Sequence, residues 1–171
     1  MTHTDMIAKI CTAAPVIPVL TIDRVQDAQP LARALVAGGL PALEITLRTD
    51  AAMEAIAAVA EVEGALAGVG TLLTTAQIRD AKSAGATFGV SPGATDSIIK
   101  AAQDYDLPLL PGAATASEAM RLLEQGFVFQ KFFPAEAAGG APALGSMAGP
   151  LPPSPVCPPG GGAPQHAKPH T

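Results

Sequence analysis

The sequence predicts an α/β chain of the (β/α)8 TIM-barrel type, incomplete, with about six βα units. Three observations carry that reading. From residue 15 to about 148, short apolar runs ending in Pro, Gly or Thr alternate with alanine-rich stretches whose apolar residues recur at helical spacing. The apolar runs lack a clean apolar/polar alternation through most of their length, as parallel strands covered on both faces do. The exception is informative: Glu44, Thr46 and Arg48 share one face of the second run, against Leu43, Ile45 and Leu47 on the other. Charged groups facing an enclosed interior near strand ends suit a barrel. An open dinucleotide-binding sheet would instead carry Gly-x-Gly-x-x-Gly after the first strand, where this chain reads Thr21-Ile22-Asp23-Arg24.

Taken in order, a short helix at 5–12 precedes the first strand and is placed to cap one end of the sheet. Strands are expected at 16–21, 42–47, 66–71, 87–90, 108–110 and 128–133. Helices fall between them at 25–37, 50–62, 75–84, 95–103 and 116–124, with a Gly/Ala-rich one near 141–148. Thr49-Asp50, Thr74-Thr75, Thr95-Asp96 and Thr115 to Ser117 offer side-chain oxygens to the free N–H groups of first turns. Gly38-Gly39, Gly85 and Gly126 stand where helices stop.

After residue 149 the composition changes to Pro and Gly with few large apolar residues. That divides the chain into a partial barrel, 1–149, and a tail, 150–171, expected to be largely disordered because it cannot bury enough surface to offset its ordering entropy. A brief extended piece is expected near Val156. The two further βα units that would close eight strands are not legible.

At 171 residues, 49% of them apolar, the chain is long enough for one domain with a substantial core. The net charge is −5 and no Lys/Arg stripe occurs, so neither nucleic acid nor an anionic membrane is indicated as a partner. The opening Met-Thr-His-Thr-Asp-Met lacks the pattern of a signal peptide, and no apolar run reaches the length of a membrane span. A cytoplasmic protein acting on small molecules or binding other chains is expected. Cys11 and Cys157 show no metal-ligand spacing and read as free thiols.

The chemistry centres on Lys131, within Phe-Val-Phe-Gln-Lys-Phe-Phe-Pro-Ala-Glu (127–136). Desolvating an ammonium costs several kcal/mol, and an amine relieved of its proton attacks carbonyl carbon to form a Schiff base. The plainer reading is a strand-end lysine whose stem packs on phenylalanines while its head reaches water. Other strand ends supply Glu44, Arg48, Thr71 and Ser91. In a carbonyl-processing site Glu44 would move protons, Arg48 would bind a carboxylate bidentately and Thr71 would add a hydrogen bond. Glu44 and Arg48 also fit an internal ion pair, Thr71 a turn cap, and Ser91 a structural role.

Several segments, in order, resemble one family. They are Pro15-Val16-Ile17-Pro18-Val19-Leu20, Leu35-Val36-Ala37-Gly38-Gly39, Leu43-Glu44-Ile45-Thr46-Leu47-Arg48-Thr49, Gly68-Val69-Gly70-Thr71-Leu72, Val90-Ser91-Pro92-Gly93, Leu110-Pro111-Gly112 and Lys131-Phe132-Phe133-Pro134-Ala135-Glu136. The chain is similar over residues 5–150 to the 2-keto-3-deoxy-6-phosphogluconate (KDPG) aldolases, which also cleave 4-hydroxy-2-oxoglutarate. The resemblance implies a class I aldolase that forms pyruvate and glyceraldehyde 3-phosphate, with Lys131 as Schiff-base lysine and Glu44 as general acid/base. It implies that Arg48 and Thr71 hold the pyruvyl end of a 2-keto acid. No metal or organic cofactor is implied, and the family's usual assembly is a homotrimer. Cys157-Pro158-Pro159-Gly160-Gly161 resembles the family's seventh-strand Cys-Pro-Thr-Gly-Gly, which makes Gly160 and Gly161 candidate substrate-binding residues, but Pro159 replaces the threonine. Beyond Gly161 no match is legible, as in a truncated or frameshifted C-terminus. A catalytically inactive fragment, or an aldolase for the phosphogalactonate analogue, are the alternative readings.

Overall fold

In the computed structural model, which describes residues 2–148 and the backbone of residues 156–157, every paired strand is parallel to its neighbour. The elements in chain order are α1 (His3–Thr12), β1 (Val19–Leu20), α2 (Val25–Ala37), β2 (Ala42–Thr46), α3 (Ala52–Ala60), β3 (Leu66–Gly70), α4 (Thr75–Ser83), β4 (Phe88–Val90), α5 (Asp96–Asp104), β5 (Leu109–Leu110), β6 (Gly112–Ala113), α6 (Ala116–Glu124), β7 (Gln130–Phe132), α7 (Gly140–Ala148) and β8 (Val156–Cys157). The βα alternation is as the sequence predicts, with α2 and α6 at the expected limits and the strands shorter than expected.

Strands β1 to β5 pair in chain order, and β6, β7 and β8 form a second ladder. The division falls at Pro111. Proline has no N–H to give a ladder, so the extended stretch splits into β5, which pairs with β4, and β6, which pairs with β7. The Pro111 carbonyl still accepts the Lys131 N–H at 2.8 Å, which fixes the register of the lysine's strand against its neighbour. Next to it Gly112 is needed for space, because a Cβ there would lie 2.2 Å from the Pro92 carbonyl oxygen. The extended piece expected near Val156 is β8, in register with β7 through Gln130↔Val156 and Lys131↔Cys157. Among the described residues this gives a strand position beyond the six read from the sequence. The expectations for the rest of the 150–171 tail lie outside the described residues.

Side chains divide between two layers. Leu43, Ile45, Ala67 and Val69 face the helices and pack in one core with Ala28, Ala32, Ala55, Ile56, Val59, Ile78, Ala81 and Ile98. The small alanines let helices lie close to the sheet, and each fully buried Ile, Leu or Val contributes roughly 1.5–3 kcal/mol. The alternate residues of β2 face the other way. Ala42 joins Phe88, Val90 and Leu110 in a second cluster with Ile7 and Ile10 of α1, so the opening helix covers the amino ends of the strands, as expected. Glu44 and Thr46 stand on that inner face, further toward the carboxyl ends.

Thr74, Thr95 and Thr115 cap α4, α5 and α6, and Thr74 and Thr115 complete capping boxes with Gln77 and Glu118. Thr49 does not cap a helix. Helix α3 starts at Ala52 behind an uncapped Ala51, while the Thr49 hydroxyl donates to the Ile22 carbonyl at 2.6 Å. A hydroxyl two loops away from its expected partner therefore ties the β1–α2 and β2–α3 connections together.

Candidate active site

Among the described residues, the interior between the strands carries one close ion pair. Lys131 Nζ lies 3.4 Å from Glu44 Oε1, with side-chain exposures of 11% and 7%. Glu44 is held at the centre of β2, paired by backbone to Val19 of β1 and Gly68 of β3. Lys131 is held at the centre of β7. Its ammonium also lies 5.4 Å from the centroid of the Phe133 ring. The desolvation of the lysine is thus met by a carboxylate and an aromatic face. The plainer reading, with the head in water, does not describe this residue.

Burial pushes the Glu44 carboxyl above the ordinary 4.5, and the charges of Lys131 and Arg48 oppose that rise without cancelling it. A carboxyl whose hold on its proton is set by those opposing tendencies is suited to proton transfer. Arg48 follows the end of β2 and is exposed. Its charge is felt at Glu44, yet the ion pair that forms inside the barrel is Glu44–Lys131 rather than Glu44–Arg48. The Arg48 side chain is exposed, where it can meet an anionic group. Thr71, half-buried directly after β3, has φ +64°, a left-handed conformation that a β-branched residue adopts only under strain.

Thr46, on the same face as Glu44, is engaged elsewhere: its hydroxyl donates to the Leu20 carbonyl at 3.0 Å and lies 3.2 Å from the Thr21 hydroxyl, stitching β1 to β2. Ser91 is fully buried, and among the described residues its hydroxyl has no hydrogen-bond partner, while its N–H donates to Leu110 O at 3.3 Å. Gly160 and Gly161 lie outside the described residues. Among the described residues, no group of three His, Cys, Asp or Glu could hold a metal ion, and no helix is long and apolar enough to cross a membrane.

Two supports of the site escaped the sequence reading. Gln130, beside the lysine, is buried and donates from Nε2 to the carbonyls of Ala119 and Phe127, both at 3.0 Å, which anchors β7 to α6. Its polarity in an apolar strand was the available signal. The other is the glycine pair 68 and 70 on the inner face of β3, a spacing that marks close approach by neighbours.

With this geometry in view, the relatives give the class. KHG/KDPG aldolase of Escherichia coli (strain K12) is 47% identical over 156 residues, covering 91% of this chain and 73% of that protein. The 2-dehydro-3-deoxy-phosphogluconate aldolase of Zymomonas mobilis is 48% identical over 161 residues, covering 94% and 77%. The crystal structure of the Zymomonas mobilis ZM4 2-keto-3-deoxy-6-phosphogluconate aldolase with 3-phosphoglycerate has a TM-score of 0.90 at 46% identity, covering 96% of this chain and 78% of that one. The KDPG aldolase of Legionella pneumophila, with pyruvate captured as a covalent carbinolamine, has a TM-score of 0.84 at 45% identity, covering 89% and 74%. Fold, site and relatives define an enzyme of the lyase class, an aldolase on a TIM-barrel-type scaffold. The family model for KDPG and KHG aldolase matches residues 7–170. The chain belongs to that family, and the match runs to residue 170, past Gly161, where the motifs stop.

Proposed function

We propose that the chain is a class I, Schiff-base aldolase that cleaves 2-dehydro-3-deoxy-6-phosphogluconate to pyruvate and glyceraldehyde 3-phosphate, and 4-hydroxy-2-oxoglutarate to pyruvate and glyoxylate. The observation that carries it is the buried Lys131–Glu44 pair at 3.4 Å. In the proposed sequence, the Lys131 amine adds to the C2 carbonyl of the keto acid, and the carbinolamine loses water to give an iminium. Glu44 supplies and removes the protons of these steps, directly or through one water. The C4 hydroxyl then gives its proton to Glu44 as the C3–C4 bond breaks, and the bonding pair moves into the iminium to form an enamine. After the aldehyde leaves, C3 takes a proton back and water hydrolyses the iminium, which releases pyruvate and restores the amine.

Arg48 is assigned the substrate carboxylate, for which an exposed guanidinium suits a bidentate contact, and Thr71 a further hydrogen bond to the pyruvyl end. Gly160 and Gly161 are assigned substrate contacts by resemblance. The 44–48% identity to relatives named for the phosphogluconate substrate favours it over the galactonate analogue, since the native KDPGal structure is 30% identical with a TM-score of 0.76. A homotrimer in the cytoplasm completes the reading. It is tested by light scattering of the purified chain.

The deciding experiment is borohydride reduction in the presence of pyruvate. One pyruvyl group should appear on Lys131 by peptide mass mapping, and Lys131→Ala should abolish it. A well-folded chain without the adduct would favour the inactive-fragment reading.

A further inference from the structure

Strand β3 presents Leu66, Gly68 and Gly70 to the interior, so its inner face is a trough where β2 and β4 present side chains. Each glycine is filled from one side. A Cβ on Gly68 would lie 2.1 Å from the Phe88 ring, and a Cβ on Gly70 would lie 2.3 Å from Glu44 Oε1, 2.7 Å from its Cγ and 2.9 Å from its Cδ. The Glu44 carboxyl therefore lies across position 70 in space that any other residue would occupy. Gly70 has no left-handed φ, unlike Gly64 at +81° or Gly85 at +95°, so backbone freedom is not what the position requires. What it provides is room on the side of β2 from which the carboxyl reaches the Lys131 ammonium.

We infer that Gly70 is a positioning residue for the reaction, acting through Glu44: its missing side chain sets where the proton-transferring carboxyl rests relative to the lysine. This rests on the assignment of Lys131 and Glu44 above. The same glycine precedes Thr71, so a change at 70 is read against Glu44 to separate the two routes. If the contact is with Glu44, its consequence disappears when the Glu44 side chain is cut back to Cβ, which removes all three crowded atoms. If position 70 acts through Thr71 or the strand in general, the consequence survives that truncation.

The test is a cycle of four full-length chains: the parent, Gly70→Ala, Glu44→Ala and Gly70→Ala/Glu44→Ala. Each is measured for the rate of pyruvate trapping on Lys131 under borohydride, for kcat and KM in cleavage of the phosphogluconate substrate, and for thermal melting. A misplacement of about 1 Å in a reacting group lowers rate by about 100-fold. Gly70→Ala is expected to lower kcat and the trapping rate on that scale while KM changes little, and to lower the melting temperature. In the Glu44→Ala background the same change is expected to cost nothing further in trapping or melting. If Gly70→Ala fails to fold, Glu44→Ala is expected to restore a cooperative transition to the double variant. Parental kcat in Gly70→Ala, or losses that multiply fully in the double variant, overturn the positioning role alone. Absence of trapping in the parent chain overturns the assignment of Lys131 itself, and Gly70's role with it.

Discussion

The Lys131 ammonium lies 3.4 Å from the Glu44 carboxylate although 87 positions separate the two residues in sequence. Non-adjacent strands deliver them to the same interior. Glu44 rises from the centre of β2, and Lys131 from the centre of β7, whose register is fixed by the Pro111 carbonyl. Little about this pair favours stability, because taking two charges out of water costs about as much as their attraction returns. Its presence inside the barrel, where among the described residues no other carboxyl and amine meet buried, is an argument for chemistry.

That argument predicts a stability gain on removing both charges. Glu44→Gln/Lys131→Met should be at least as stable as the parent at neutral pH, by up to roughly 4 kcal/mol, and inactive. The pH dependence follows from the raised Glu44 pKa, caused first by burial. A carboxyl that holds its proton more tightly folded than unfolded contributes stability that is fully present below about the ordinary 4.5. The contribution is lost as pH rises through the folded value. The parent should therefore gain on the double variant as pH is lowered toward 4.5, read from melting curves of both proteins. A gap that does not change with pH would place the Glu44 carboxyl in a solvated setting.

Gln130 gives a prediction on the strand itself. Its Nε2 donates to the Ala119 and Phe127 carbonyls, so Gln130→Leu keeps the volume and removes both bonds; Ala119, inside α6, keeps its helical donor, and the cost falls chiefly on the Phe127 carbonyl, at about 1–3 kcal/mol where it stays dry. Denaturant unfolding should show a lower midpoint with an unchanged slope. Because β7 carries the lysine, the residual folded enzyme should also trap pyruvate more slowly than the parent.

The elements were legible because their local signals agree with the fold. Threonines at 74, 95 and 115 start helices, glycines at 39, 85 and 126 end them with positive φ, and Glu44 and Thr46 keep period two along β2, while Arg48 falls in the turn after it. Lys131 and Glu44 were legible as candidates for the same reason, since a charge in an apolar strand stands out. What pairs with what was not legible. Arg48 and Lys131 are equally plausible partners for Glu44 in one dimension, and only the order of strands decides between them. The split at Pro111 is a ladder property, visible once a neighbour is known. Thr49 carries a helix-start signal and spends its hydroxyl on Ile22, a contact that sequence spacing does not encode.

Thr71 combines strain with the expected substrate contact. Replacing it by glycine relieves roughly 1–3 kcal/mol of left-handed strain and adds back roughly 1 kcal/mol of chain entropy. Thr71→Gly should melt no lower than the parent while KM for the keto acid rises, and Thr71→Ser should keep KM near parental. A parental KM in Thr71→Gly would remove the hydroxyl from the binding site and leave the conformation unexplained.

Helix α6 tests the capping argument with its own pH signature. The Thr115 hydroxyl accepts the Glu118 N–H, while the Glu118 carboxylate accepts the N–H groups of Ala114 and Thr115 at 2.9 and 3.0 Å. Thr115→Ala should cost about 1 kcal/mol in denaturant unfolding. Glu118 is held below the ordinary 4.5, chiefly by the Ala114 N–H, so its contribution is present above that value and lost as pH falls through the folded one. Glu118→Ala should accordingly lower the melting temperature at pH 7, and the difference from the parent should shrink in acid. This is opposite in sign to the behaviour expected of Glu44, so the two carboxyls are separable in a single pair of pH series. A Glu118→Ala penalty that persists unchanged in acid would mean that α6 depends on packing of the side-chain stem rather than on the charged cap.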